Sequence, residues 1–262
     1  MTTARLDMDG DIAVGGAGDG ARESAAERLA PLRALQRDLE GQWRTAIDLV
    51  QARQRIRSGL TAYDPVDVIA SAGDLVVPFL RATKAIETAG LASDAAVSGA
   101  RDLRFEVVPA IHAWLAGERR PREAHRRAAR QCAALVGGSI LRRASREVLA
   151  GLSFDDWRRA GCPCCGSPAE LAVASRTGRT LLCSRCDTVW PTPLTGCLGC
   201  GAAGDPMIAR VPAPSIGYEL TICNVCGRYV KERRAGPALD ALLERMITEE
   251  LDEAAERRGL RL

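Results

Sequence analysis

The sequence reads Cys162-Pro163-Cys164-Cys165-Gly166, the first of four segments in which two residues separate a pair of cysteines. The other three read Cys183-Ser184-Arg185-Cys186-Asp187, Cys197-Leu198-Gly199-Cys200-Gly201 and Cys223-Asn224-Val225-Cys226-Gly227. One tight turn of this kind presents two sulfurs to a single ion, and two such turns complete a tetrahedral site of four thiolates. The four pairs, which hold eight of the ten cysteines, therefore predict two metal centres.

The spacing of the pairs indicates how they combine. Seventeen residues separate the first pair from the second, and twenty-two separate the third from the fourth. The first gap lies inside the zinc-ribbon range and the second lies just beyond it. We therefore expect neighbouring pairs to share an ion, with an interleaved arrangement (first with third, second with fourth) as the alternative. The predicted metal ligands are Cys162, Cys165, Cys183, Cys186, Cys197, Cys200, Cys223 and Cys226.

Glycine follows the second cysteine in three of the four pairs, at Gly166, Gly201 and Gly227. Past the second ligand the backbone of such a turn needs a positive φ, which glycine adopts without a Cβ clash. The second pair has Asp187 at this position, so we expect its turn to close differently.

The overall composition is that of an ordinary globular protein of 262 residues with a formal net charge of +3. No apolar run approaches the roughly 18 residues that a membrane span needs. The N-terminus carries Asp7, Asp9 and Asp11, unlike an export signal. We therefore expect a cytoplasmic protein without membrane insertion, whose paired thiols bind metal rather than form disulfides.

The sequence before the cysteines is typical of helices. Residues 1–22 are predicted to be a disordered tail, and residues 23–160 a helical domain. An apolar stripe at three- and four-residue spacing runs from Leu29 to Val50. A later helix is expected to be interrupted at Gly137-Gly138 and to continue to about Leu152.

Residues 161–235 are predicted to be a tandem four-cysteine metal region, and residues 236–262 a C-terminal helix. Two hairpins are expected, one pairing residues 171–174 with 180–182 around Thr177-Gly178-Arg179, the other pairing 208–211 with 218–222. Trp190 and Tyr218 are among the few large apolar groups here, so metal is expected to contribute much of the folding free energy. The predicted class is α+β.

The remaining candidate residues have simpler interpretations. Cys164 is expected to be an unligated thiol, and Cys132 a small apolar core residue. His112 lies on an apolar helical face, which favours a core histidine, whereas His125 is expected at the surface. The basic run from Arg119 to Arg130, with further arginines at positions 142, 143 and 146, is expected to be a solvated helical face, with docking of an acidic protein as the alternative. No nucleophile or acid accompanies either histidine, so catalysis is not predicted.

The order of these motifs resembles one family. It is carried by Cys162 to Pro168, Leu182 to Trp190, Cys197 to Cys200 and Cys223 to Lys231, followed by a leucine-rich helix. On these residues the chain resembles the FdhE family of formate dehydrogenase accessory proteins. The resemblance implies a helical N-terminal domain joined to a rubredoxin-like region with the same eight cysteine ligands. It implies iron as the metal in both sites, with zinc possible instead.

The resemblance also implies a function without catalysis: binding to the catalytic subunit of formate dehydrogenase during its assembly or activation. Two other functions stay open on the sequence, a zinc-ribbon nucleic-acid-binding protein and a rubredoxin-like electron-transfer component. Residues 162–262 carry twelve basic and twelve acidic side chains, a balance that argues against nucleic-acid binding.

Overall fold

The computed structural model describes residues 19–262 apart from positions 45, 119, 155, 156, 176, 177 and 235–238. Side chains are not described at positions 19–23 and 175. Most of the predicted tail (residues 1–18), Arg119 of the basic run and Thr177 of the first hairpin turn lie outside the described residues. The predicted α+β class is confirmed, because a helical region precedes a sheet with two four-cysteine groups and C-terminal helices follow it.

The helical region contains eight α-helices among the described residues. They are α1 (Asp19–Arg28), α2 (Ala30–Gln42), α3 (Leu49–Arg57), α4 (Pro65–Ala70), α5 (Val76–Thr88), α6 (Asp94–Asp102), α7 (Val107–Leu115) and α8 (Ala124–Leu149). Asp48, Asp64 and Ser93 cap α3, α4 and α6 by accepting hydrogen bonds from backbone N–H groups of the first turn.

The apolar stripe from Leu29 to Val50 does not form one surface, so this prediction was wrong beyond α2. Trp43 follows α2 in an extended conformation, and Asp48 starts a new helix after the break. Leu29, Leu32, Leu35 and Leu39 are buried, whereas Val50 is 77% exposed.

Helix α8 is the centre of the helical domain, and it continues through Gly137-Gly138 where an interruption was predicted. A Cβ atom at Gly137 would lie 3.1 Å from Cζ3 of Trp114 and 3.2 Å from Cγ2 of Ile111. Gly137 therefore serves close packing of α7 on α8, which offsets its low helix propensity of about 1 kcal/mol relative to alanine.

The second part of the chain forms one six-stranded sheet in the order β3-β2-β1-β6-β5-β4. The strands are β1 (Ala169–Ser175), β2 (Gly178–Cys183), β3 (Val189–Thr192), β4 (Ile208–Ala213), β5 (Tyr218–Cys223) and β6 (Tyr229–Arg234). Both predicted hairpins are present as the antiparallel pairs β1–β2 and β4–β5. The parallel pairing of β1 with β6 joins the two halves, with Leu171 opposite Lys231.

Two short helices, α9 (Ala241–Ile247) and α10 (Glu249–Arg257), follow the sheet where one helix was predicted. They cover a second apolar core on the sheet, in which Leu251 and Ala255 lie against strand residues such as Leu171 and Leu220. Trp190 and the cysteines of the first two pairs belong instead to the core of the helical domain. No helix in the described part of the chain is long and apolar enough to cross a bilayer.

Candidate metal centres

The sheet topology brings all four cysteine pairs to one end of the sheet. The first pair precedes β1 and the fourth precedes β6, and these two strands are parallel neighbours. The second pair begins where β2 ends, and β2 runs antiparallel to β1. The third pair precedes β4, whose antiparallel partner β5 ends at the fourth pair.

The sulfurs converge in two groups of four, and within each group all four lie within 4.8 Å of one another. Site 1 consists of Cys162, Cys165, Cys183 and Cys186, and site 2 consists of Cys197, Cys200, Cys223 and Cys226. Neighbouring pairs therefore share a site, as the tandem interpretation predicted, and the interleaved arrangement is not the one found.

Site 1 is closed to solvent. Its four cysteines are 0 to 5% exposed. The Sγ atoms of Cys162 and Cys186, of Cys165 and Cys183, and of Cys165 and Cys186 are each 3.5 Å apart. The hydroxyl of Thr188 lies 3.1 Å from Sγ of Cys186, and the backbone N–H of Arg185 donates to Sγ of Cys183 at 3.4 Å.

Site 2 has the same arrangement of sulfurs but lies at the surface. Sγ of Cys197 is 3.5 Å from that of Cys226, and Sγ of Cys200 is 3.6 Å from that of Cys223. The backbone N–H of Gly199 donates to Sγ of Cys197 at 3.2 Å. Cys223 is buried, Cys197 and Cys226 are half-buried, and Cys200 is exposed.

Both groups fit a four-coordinate metal ion that prefers sulfur. Metal–sulfur bonds of about 2.3 Å place the corners of a tetrahedron about 3.8 Å apart, close to the sulfur separations found here. A disulfide would need sulfurs at about 2.05 Å, and all ten cysteines are free. Burial, together with hydrogen bonds from neighbouring thiols, raises the pKa of Cys162 well above its ordinary value, so the thiolate of Cys162 is favoured only with a positive charge beside it. A bound ion would supply that charge and cross-link the two turns.

The turns close with the backbone geometry that the glycines predict. Gly166, Gly201 and Gly227 have φ values of +73°, +76° and +70°. Asp187 has φ +55°, so the expectation that its turn closes differently was wrong. An aspartate in the left-handed region is strained relative to glycine, and the contacts of its carboxylate explain why it is there.

Asp187 connects site 1 to the helices on both sides of it. Its Oδ2 accepts from Nη1 of Arg142 on α8 at 2.6 Å, and its Oδ1 accepts from Nη2 of Arg245 on α9 at 2.7 Å. Arg245 also donates to the carbonyl oxygen of Cys183 at 3.0 Å, and Arg142 donates to Glu40 on α2 at 2.7 Å. The two ion pairs of Asp187 thus offset the strain of its left-handed backbone conformation.

The ion pairs continue into the sheet through Lys231, which is completely buried. Its Nζ lies 3.1 Å from Glu170 and 2.8 Å from Asp252. Glu170 also accepts from Arg245 at 2.8 Å, and Asp252 lies 3.2 Å from Arg120. Burial by itself would raise the pKa of Glu170, but Arg245 and Lys231 outweigh it and lower that pKa to about 2. These buried charges were not predicted. The sequence feature that could have indicated them is Lys231 itself, because lysine is rare in this arginine-rich chain.

The other candidate residues have structural surroundings. Cys164 is buried but its sulfur belongs to neither group, and Cys132 lies in the helical core as predicted. His112 is exposed, so its assignment as a core histidine was wrong. His125 is half-buried, and its Cβ would lie 2.8 Å from a Cβ at Gly99, so it packs on α6.

The basic run is not a purely solvated face. Arg120 pairs with three carboxylates of α10, at 3.3 Å from Glu249, 3.2 Å from Asp252 and 3.1 Å from Glu256. Arg142 is buried between Glu40 and Asp187. These two arginines join the helical domain to the sheet and to the C-terminal helices.

Comparison with known proteins supports the fold assignment. No protein-family model and no curated protein sequence matches the chain. Among solved structures, the crystal structure of the FdhE protein from Pseudomonas aeruginosa is similar, with a TM-score of 0.60 at 22% sequence identity over 94% of each chain. The resemblance read from the cysteine motifs is thus confirmed at the level of the fold.

Proposed function

We propose that this protein is an accessory factor for a formate dehydrogenase, not an enzyme itself, and that it binds the catalytic subunit during assembly or activation in the cytoplasm. The observation that carries the proposal is the agreement in fold with the FdhE protein over 94% of both chains. Such coverage includes the helical domain and the metal region together, so the whole architecture is shared. The order of the cysteine motifs supports the same assignment independently of the fold.

The proposal includes two resident metal ions, held by the four thiolates of site 1 and the four thiolates of site 2. Iron is the metal that the family resemblance favours, and zinc suits the same ligands. A bound ion would supply a fixed cross-link at each site and, if it is iron, a one-electron redox centre. The chain's own residues hold the thiolates in place through Thr188, Arg185 and Gly199.

Nucleic-acid binding is less well supported. Residues 162–262 carry twelve basic and twelve acidic side chains, and Arg120 and Arg142 are bound to carboxylates within the protein. Phosphate binding would need cations that are free to contact it.

The test is genetic and biochemical. In cells that lack this protein, formate-dependent dye reduction should fall while the catalytic subunit is still made, and the wild-type gene should restore it. Cys183→Ser should fail to restore it because site 1 loses a ligand, whereas Cys164→Ala, which changes a buried cysteine outside both groups, should restore it. Purified protein should also bind the isolated catalytic subunit in size-exclusion chromatography. Unchanged formate oxidation in the deletion strain, together with no complex, would reject the proposal.

A further inference from the structure

The two sites share a sulfur arrangement but differ in their access to solvent. Every cysteine of site 1 is buried, and the most exposed of them is Cys165 at 5%. At site 2 Cys200 is exposed, and so is the neighbouring Gly199. Val225, between the two cysteines of the fourth pair, is 62% exposed. An external reagent can therefore reach Cys200 at site 2, whereas every cysteine of site 1 is buried.

Site 1 is enclosed by parts of the chain that are distant in sequence. The backbone N–H groups of Ala62 and Tyr63 donate to the carbonyl oxygens of Pro163 and Cys164 at 3.0 and 3.1 Å. The hydroxyl of Tyr63 reaches Ser145 on α8 at 2.7 Å, and Asp187 is held by Arg142 and Arg245. Opening site 1 therefore requires the helical domain and the metal region to separate.

Site 2 is supported by Arg228 and by contacts with Arg261 and Leu262. The carbonyl oxygen of Gly227 accepts from the N–H of Arg261 at 3.0 Å, and the N–H of Tyr229 donates to the carbonyl oxygen of Arg261 at 2.9 Å. The side chain of Arg228 lies directly on Gly199 and donates to Leu262 at 2.6 Å. Local opening of such a peripheral turn costs much less free energy than global unfolding.

From this asymmetry we propose that site 2 is an exchangeable metal site and that site 1 is a permanent structural one. Cys200 is the residue at which an external thiolate or chelating ligand reaches the metal centre, and the ligand class that fits there is soft, as a cysteine of another protein is. The inference rests on the proposed binding of two ions, and it adds that they have different fates. No electron transfer is needed for it.

The experiment uses the full-length protein loaded anaerobically with zinc and freed of excess metal. Elemental analysis should give two ions per chain. Excess 4-(2-pyridylazo)resorcinol should then remove them in two phases of equal amplitude, the first at least about tenfold faster, which corresponds to a difference of about 1.4 kcal/mol in barrier height. In Cys200→Ser one ion per chain should remain, the fast phase should vanish, and the slow phase and the helical circular dichroism should be unchanged. Cys164→Ala should keep both phases.

A second measurement follows the cysteines themselves and needs no variant of site 1. Iodoacetamide added with the chelator to the wild-type protein should label peptides containing Cys197, Cys200 and Cys226 during the fast phase, and those containing Cys162 or Cys183 with the slow phase. Release of both ions in one phase, a fast phase that survives in Cys200→Ser, or earlier labelling of site 1 would overturn the proposal while leaving metal binding intact. A folded protein without metal would overturn both.

Discussion

Replacing Lys231 by methionine tests whether the buried ion pairs hold the sheet to the C-terminal helices. Lys231 is 0% exposed, and its Nζ contacts Glu170 on β1 and Asp252 on α10. Methionine has a similar volume, so the change removes the charge and leaves little cavity. Each carboxylate keeps one other cation, since Glu170 retains Arg245 and Asp252 retains Arg120.

The magnitude follows from these remaining partners. Removing one member of a buried ion pair costs about 3–5 kcal/mol, and the retained cations place the expected loss near the lower end, about 3 kcal/mol. For a protein of this size the melting temperature should fall by about 6–12 °C.

The chain provides a matched control, because its other lysine is on the surface. Lys84 is 71% exposed and pairs with Glu87 one turn along the same helix. Lys84→Met should leave the melting temperature unchanged, since an exposed ion pair contributes little. Both variants are measured by circular dichroism with the metal content equalised. A melting temperature of Lys231→Met within about 2 °C of wild type would refute the reasoning.

Three further outcomes are expected. Tyr63→Phe removes the hydrogen bonds of a buried hydroxyl to Leu141 and Ser145, and urea unfolding should show a loss of about 1 kcal/mol; no change in the midpoint would contradict this. Gly196→Ala places a Cβ 2.6 Å from the carbonyl oxygen of Ala202, next to Cys197 of site 2, so elemental analysis should give one ion per chain instead of two. In the control Gly41→Ala the added Cβ has nothing within 4 Å, and the protein should keep two ions. The pKa of Glu170 is about 2 in the folded protein against an ordinary 4.5, so the stabilisation by its ionised carboxylate is present above pH 4.5 and is lost as the pH falls towards 2. The difference in unfolding free energy between wild type and Lys231→Met should therefore narrow over that interval. A constant difference would count against the assignment.

The local sequence predicted what depends on near neighbours. The spacing of the cysteine pairs predicted that neighbouring pairs share a site, and pairs of strand-like segments close together in the chain predicted the hairpins β1–β2 and β4–β5. The capping residues Asp64 and Ser93 are also of types that favour helix starts. Each of these features depends on residues that lie within 30 positions of one another, so the local sequence is enough to predict it.

Features decided by distant contacts were missed or wrong. The parallel pairing of β1 with β6 joins residues such as Leu171 and Lys231, and neither strand shows its partner in its own pattern. Gly137 continues a helix because Trp114 packs on it, and Asp187 adopts the geometry of glycine because Arg142 and Arg245 bind its carboxylate. In each case tertiary packing overrides the local preference.

The structure also reveals an internal repeat that the sequence spacing conceals. Each half of the metal region consists of a cysteine pair, a hairpin, a second cysteine pair at the end of the hairpin and a third strand. In the first half the third strand, β3, lies at the sheet edge, whereas in the second half β6 pairs with β1 at the centre. The two halves are therefore alike in their connections, but only the cysteines of the first half belong to the core that includes the helical domain.

The central claim is that eight thiolates hold two ions, and X-ray absorption at the metal edge of anaerobically purified protein tests it most directly. The account predicts two ions per chain, each with four sulfur neighbours at about 2.3 Å. Nitrogen or oxygen neighbours in place of sulfur, or a folded protein whose eight cysteines react as free thiols without any metal, would contradict it.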